Sequence, residues 1–534
     1  MMVGKRSLAG IAGIVAAATL LSKVFGLLRE TAIAAAFGTG PVTDAYGLSY
    51  VIPGFLLILL GGINGPFHSA IVSAVSKREK EEIAPIVETV TTVVGIGLVI
   101  VTMALVVFAG PVIDLLGRGF QATELGLESR AIAIAQLQIM APVTVFACFI
   151  GIGFGTLNAA DQYWLPSISP LLSSTSVIAG LGILWLVLGS DISDPNYAMI
   201  GGMVLAGGIL VGAVLQWLVQ VPALWRSGLG RLRLRFNLSD PGVRDVLRVL
   251  GPATFSSGTL QINVYTDIFF AAFVPGTLAA LNFSNLLVQT PLGIVSNIIL
   301  VPFFPIFSRL TAPSQRPELK QRIRQSLMLV ALTMLPISAL IITLAQPIVT
   351  VVYKRGAFGE DAVQLVTTIL IAYGAGMFVY LARDVMVRVF YALGDGQTPF
   401  KISVVNILVN AALDYVFFNL MGPAGLVVAT IGVNVVALVA MTALLHRRLG
   451  GLPIADWSRT IFTLTAASVL SGVCCWFTRR GLATLIGTES FVASLIQLCV
   501  AGGVGLLTFA VLTVLLKIPE AGMLVQRIRQ KLGR

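Results

Sequence analysis

The chain has 534 residues, 57% of them hydrophobic and only 11% charged, with a formal net charge of +11. A soluble globular chain devotes about a quarter of its residues to charge, so this composition excludes one. The positive charge sits in short loops, with no soluble basic domain to bind nucleic acid, and reads as a topology signal.

Apolar runs near or above the roughly 20 residues needed to cross a bilayer recur throughout. Backbone polar groups in lipid must be satisfied within the chain, and runs of this length mean helices rather than barrel strands. The fold class is therefore an all-α polytopic membrane protein with about fourteen transmembrane helices. In chain order the expected spans are 8–37, 45–75, 85–113, 130–157, 164–190, 198–224, 248–275, 279–308, 325–352, 362–392, 400–420, 424–446, 458–478 and 488–516. The N-terminus imitates a signal peptide, with Lys5 and Arg6 ahead of an apolar run, but lacks a convincing cleavage site and is kept as the first span. Cys148, Cys474, Cys475 and Cys499 fall in apolar runs without metal-ligand spacing and read as small core or lipid-facing residues.

Connections from odd to even spans are acidic or neutral, as in Ser190-Asp-Ile-Ser-Asp-Pro-Asn196. Connections from even to odd spans are basic: 77–80, 226–248, 309–324 and Arg447-Arg448. Of the 35 lysines and arginines, about 25 fall on the side of both termini and about 6 on the other, which predicts cytoplasmic termini.

A repeat is visible. Ala34-Ala-Ala-Phe-Gly-Thr-Gly40, followed by 45–53, resembles Ala271-Ala-Phe-Val-Pro-Gly-Thr277, followed by 282–291. The junctions 155–166 and 391–399 match more weakly. An even number of spans separates the copies, so the repeat is parallel: two six-helix lobes related by a pseudo-two-fold axis around a central cavity, plus two C-terminal helices. The expected divisions are 1–224 (N-lobe), 225–247 (basic cytoplasmic linker), 248–447 (C-lobe), 448–517 (spans 13 and 14) and 518–534 (basic cytoplasmic tail). In the linker, alternating Arg and Leu fit either an interfacial segment against anionic lipid or a solvated connection whose arginines set topology.

Charges inside spans are the first functional suspects, because they are expensive unless they face a protein interior or a watery cavity. Lys23, Arg29 and Glu30 lie in the first span. Lys23 and Glu30, seven residues apart, could instead form a structural pair, or Lys23 could snorkel to the interface. His68, in the Gly/Pro-interrupted Gly61-Gly-Ile-Asn-Gly-Pro-Phe-His68, fits a transporter site or a helix-breaking turn. Asn410 and Asp414 share one face of the eleventh span, Asp267 lies in the seventh and Thr430 in the twelfth. Together they read as a hard, oxygen-rich cation site or as hydrogen-bonded structural acids. Arg383 and Asp384 read as a structural ion pair. Asp44 could bind a substrate amine, latch the lobes or cap a helix.

The segment Ser22-Lys-Val-Phe-Gly-Leu-Leu-Arg-Glu30, then Ala35-Ala-Phe-Gly38, Thr43-Asp-Ala-Tyr46 and Ile52-Pro53, resembles the opening signature of the MurJ (MviN) lipid II flippase family of the MOP superfamily. Arg388-Val-Phe-Tyr-Ala-Leu-Gly-Asp-Gly-Gln-Thr-Pro-Phe-Lys401 is similar to that family's segment between spans ten and eleven. The resemblance covers essentially the whole chain. It implies a transporter, not an enzyme, that carries the undecaprenyl-pyrophosphate-linked disaccharide pentapeptide from the inner to the outer leaflet of a bacterial plasma membrane. It also implies a cationic cavity lined by spans 1, 2, 7 and 8, and a lipid-tail groove at spans 13 and 14.

Arg29 matches the family's first-span arginine, and Lys23 stands where the family has Arg or Lys. Two expected cavity cations are missing. Pro53-Gly-Phe-Leu-Leu carries no arginine after the proline, and Asn285 and Leu286 stand where many members have Asp-Arg. Either Lys23 and Arg29 suffice with neutral donors such as Asn64, His68, Asn285 and Gln289, or the cargo differs. A protonated His68 would partly replace a missing cation. Some members bind sodium at positions matching Asp267, Asn410, Asp414, a span-twelve carbonyl (Leu426 by spacing) and Thr430; sodium is thus the candidate coupling ion, with no other cofactor expected.

The leading reading is a lipid II flippase whose partners are its pyrophosphate lipid and membrane lipids. The alternatives are an exporter of another lipid-linked oligosaccharide or drug, and a non-transporting scaffold in a cell-wall synthesis complex.

Overall fold

The computed structural model describes residues 8–62, 67–68, 71–72, 80–160, 162–228, 230, 233–488 and 490–516. Asn64, the basic stretch 77–79 and the tail 518–534 lie outside them. The described residues are helical and contain no strand. In order the helices are α1 (Leu8–Phe37), α2 (Pro41–Ser49), α3 (Val51–Gly61), α4 (Lys80–Val107), α5 (Ala109–Leu116), α6 (Glu124–Met140), α7 (Val143–Ala159), α8 (Trp164–Ile168), α9 (Pro170–Leu188), α10 (Ala198–Leu218) and α11 (Val221–Ser227). There follow α12 (Pro241–Ala271), α13 (Thr277–Val295), α14 (Val301–Arg309), α15 (Arg316–Tyr353), α16 (Glu360–Ala392), α17 (Gln397–Met421), α18 (Pro423–Arg448), α19 (Ile454–Ile486) and α20 (Phe491–Leu515).

Ten helical segments among the described residues are long and apolar enough to cross a membrane, twelve if two bent pairs each count once. This is a multi-pass membrane protein. The bends have a common cause. α2 meets α3 at 45° and α6 meets α7 at 41°, and Pro53 and Pro142 stand in or beside each break. A proline removes the N–H that would bond four residues back and its ring clashes there. Expected spans 45–75 and 130–157 are thus broken rather than straight. Elsewhere helices outrun their expected spans: α15 begins at Arg316, nine residues before the apolar run at 325, with Pro317 and Glu318 in its first turn, where both favour a helix start.

Contacts divide the chain into two compact units: 1–279 with 355–358, and 280–354 with 359–534. In the first, α9 runs along α10, α1 packs on α9, α2 on α6 and α3 on α7. One core joins Leu60 of α3, Ile86 and Val90 of α4, Cys148 of α7 and Val246 of α12. α3 and α7 approach closely because α7 is glycine-rich. A Cβ on Gly151 would stand 1.7 Å from the Leu60 carbonyl oxygen, and small residues are what let membrane helices meet this way. Gly151→Ala is expected to destabilise the protein by about 1–3 kcal/mol, the usual range for overpacking, read as a lower Tm of the purified protein in detergent.

In the second unit α15 packs along α16, α19 and α20, and α17 along α18. Both copies of the repeated motif mark a helix-turn-helix corner. Gly38 (φ 58°) turns α1 into α2, and Gly276 (φ 82°) turns α12 into α13. The junction 393–396 is closed by Asp395, whose carboxylate accepts from the Thr398 N–H (3.0 Å), the Thr398 hydroxyl (2.7 Å) and Arg448 at the end of α18. The Thr398 donors, with Arg448, hold the Asp395 carboxyl below the usual carboxylate range. A depressed carboxylate stabilises the fold above its unfolded pKa and loses that contribution as pH falls through its folded pKa. Asp395→Asn should therefore lower Tm at pH 7, and the gap from the parent should close as pH falls below the ordinary carboxylate range of about 4.

Candidate functional site

Arg29 and Glu30 lie side by side on α1, with side-chain exposures of 21% and 13%. Arg29 Nε and Nη2 both donate to Glu30 Oε1, at 3.0 and 2.6 Å. Glu30 therefore takes its neighbour as partner, not Lys23 seven residues back; Lys23 is exposed on the same helix. This pairing engages two of the five N–H donors of the guanidinium. Tyr46 of α2 stacks on Tyr50, at the break between α2 and α3, with ring centroids 5.3 Å apart, and both lie near Arg29. The tyrosines were not singled out from the sequence. Their i, i+4 spacing, one turn apart on the helix beside the charged pair, was the available signal.

Asp44, also on α2, is buried, and its carboxylate accepts from the backbone N–H of Gly276 and of Ala279 (3.0 Å). These are donors at the start of α13, left without partners by the helix itself. Asp44 does not cap its own helix; it caps the start of α13 from a distant part of the chain, and so ties the expected N-lobe to the first residues of that helix in the expected C-lobe.

His68 is buried, and Asn158 Nδ2 lies 2.8 Å from its Nε2. The Asn158 amide thus partners the ring, with the donor set by the tautomer. Asn285 on α13 is half-buried, and Gln289, one turn on, is exposed.

In the second unit Asn410 and Asp414 are buried on one face of α17, with Asn410 Nδ2 donating to Asp414 Oδ2 at 2.6 Å. On α18, packed along α17, the Thr430 hydroxyl donates to the Leu426 carbonyl at 3.1 Å. Asp267 is half-buried on α12, in the first unit. No group of three or more His, Cys, Asp or Glu converges among the described residues. The donors of α17 and α18 are a carboxylate, an amide, a carbonyl and a hydroxyl, oxygen groups of the kind a hard cation takes. Arg383 and Asp384 form the expected ion pair, at 3.3 Å.

A family model described as "Lipid II flippase MurJ" matches residues 33–496. The chain belongs to that family. Members similar to it include the probable lipid II flippase of Synechocystis sp., 53% identical over 529 residues, covering 99% of this chain and 98% of that one. The lipid II flippase of Burkholderia cenocepacia is 28% identical, covering 86% and 88%. The fold is that of a solved lipid II flippase in an inward closed conformation (TM-score 0.73, 20% identity, 97% and 99% covered). It is shared more distantly with an inward-facing multidrug transporter of the MATE family and MOP superfamily (TM-score 0.63, 18% identity, 82% and 98% covered). Family membership gives the half-buried Arg29 its context: a cation in an apolar helix of a pyrophosphate-lipid transporter family.

Proposed function

We propose that this protein is a lipid II flippase, which moves the undecaprenyl-pyrophosphate-linked peptidoglycan precursor from the inner to the outer leaflet of a bacterial plasma membrane. The observation that carries the reading is Arg29, half-buried in α1 beside Tyr46 and Tyr50, in a chain that is 53% identical end to end to a probable lipid II flippase. A guanidinium offers a planar fork that matches phosphate oxygens, and in a low-dielectric pocket such bonds are strong. Glu30 holds the fork in place between cargoes, and Lys23 adds a second positive charge on the same helix. Asn285 and Gln289 act as neutral donors. No covalent chemistry is required.

The transport cycle rocks two six-helix lobes around a central cavity, with α1 and α12 completing fourteen spans and both termini cytoplasmic. Sodium at Asn410, Asp414, Leu426 and Thr430 biases the two conformations by binding one better than the other. α19 and α20 hold the lipid tail.

Native mass spectrometry of the purified protein tests the cargo. Lipid II should be retained in preference to undecaprenyl phosphate, and Arg29→Ala should erase the preference. Equal retention of both lipids by the parent would point to another lipid-linked cargo, as the missing second-span and eighth-span arginines allow.

A further inference from the structure

The linker after α11 is fastened to α4 by backbone as well as side chain. Residues 233–237 lie outside any helix. The Thr92 hydroxyl of α4 accepts from the Arg235 N–H at 3.1 Å and lies 3.4 Å from the Arg233 carbonyl. Arg235 Nη1 lies 3.6 Å from the carboxylate of Glu88, one turn earlier on α4. Leu234, Phe236 and Leu238 are 81%, 67% and 51% exposed, and Trp225 at the end of α11 is 50% exposed.

The level of this segment follows from α4. Counting the roughly 20 residues of a bilayer crossing back from Val107 reaches Glu88, so the segment runs at the edge of the hydrocarbon. Apolar side chains facing outward at that depth meet the boundary between headgroups and acyl chains, where amphipathic segments lie. Around them the charge is one-sided. Residues 225–248 carry six arginines against Asp240 and Asp245, and Arg226, Arg233, Arg244 and Arg248 are exposed.

We propose that Trp225 and residues 233–238 form an interfacial binding surface for anionic phospholipid headgroups, with Leu234, Phe236 and Leu238 inserted into the bilayer and Arg226, Arg233 and Arg244 holding the phosphates. The basic C-terminal tail, with Arg527, Arg529 and Lys531, has the wrong charge to cover this surface. A soluble acidic partner would have to reach the acyl boundary to do so. The inference rests on the chain spanning a membrane and not on its cargo, so failure of lipid II binding would leave it standing.

The test uses the full-length protein in nanodiscs, with the exposed Cys474 and Cys499 replaced by Ser and a nitroxide attached at Phe236→Cys or Asn237→Cys. The label at 236 should be accessible to oxygen and shielded from a water-soluble nickel complex, about 5–10 Å below the phosphates, while the label at 237 stays open to nickel. Replacing part of the phosphatidylcholine by phosphatidylglycerol should deepen the label at 236. In Arg226→Gln/Arg233→Gln/Arg244→Gln that shift should vanish, and less phosphatidylglycerol should be retained in native mass spectra. A label at 236 open to nickel in both discs would overturn the proposal and point to a soluble protein partner. An unchanged phosphatidylglycerol effect in a folded triple variant would also overturn it.

Discussion

Arg29→Ala is expected to abolish transport while the protein still inserts in the membrane. Truncating one side of a desolvated, hydrogen-bonded charge pair weakens binding by about 2–5 kcal/mol, which at 1.4 kcal/mol per decade is roughly 30- to 4,000-fold in affinity. Arg29 lies in the low-exposure range where that penalty applies, and two cations usual in this family are absent here, so no second arginine shares the load. The same truncation strands Glu30, because its partner is Arg29, at 2.6 Å. An uncompensated buried carboxylate destabilises by about 3–5 kcal/mol. Arg29→Ala/Glu30→Gln removes that complication. The double variant should recover most of the Tm lost by Arg29→Ala and none of its transport. Recovery of transport by the double variant would assign Arg29 a purely structural role.

Asp44→Ala should give the second large effect, this time on stability. Its carboxylate accepts two backbone N–H groups at the start of α13 in a buried setting. Loss of a capping side chain alone destabilises by about 0.5–2 kcal/mol, and each donor left buried without a partner adds about 1–3 kcal/mol. Asp44→Asn keeps one acceptor oxygen and should fall between parent and Ala. Thermal unfolding in detergent and native mass spectrometry of lipid II retention separate the roles. A cap predicts a graded loss of Tm with retention preserved in folded protein. A substrate contact predicts loss of retention with Tm unchanged.

Much of this organisation was legible in the sequence because lipid imposes simple rules. Run length and loop charge marked the membrane helices, and the expensive Arg29 announced itself by its place in an apolar run. What stayed hidden depended on partners distant in the chain or on local geometry that hydropathy does not encode. The donors to Asp44 come from residues 276 and 279, and no local pattern joins them. The partner of His68 at Nε2 is Asn158, 90 residues away. The choice of Glu30 between Lys23 and Arg29 turned on side-chain reach, and helical spacing favoured the wrong partner. The breaks beside Pro53 and Pro142 could have been placed from proline chemistry, but an unbroken apolar run masks them.

The most direct measurement of the central claim is complementation: this chain expressed in a bacterium depleted of its own lipid II flippase, beside Arg29→Ala at matched membrane levels. Growth restored by the parent and not by Arg29→Ala is the predicted result. A parent that inserts properly yet fails to restore growth would contradict lipid II transport and make the missing arginines of the second and eighth spans the main fact about this protein.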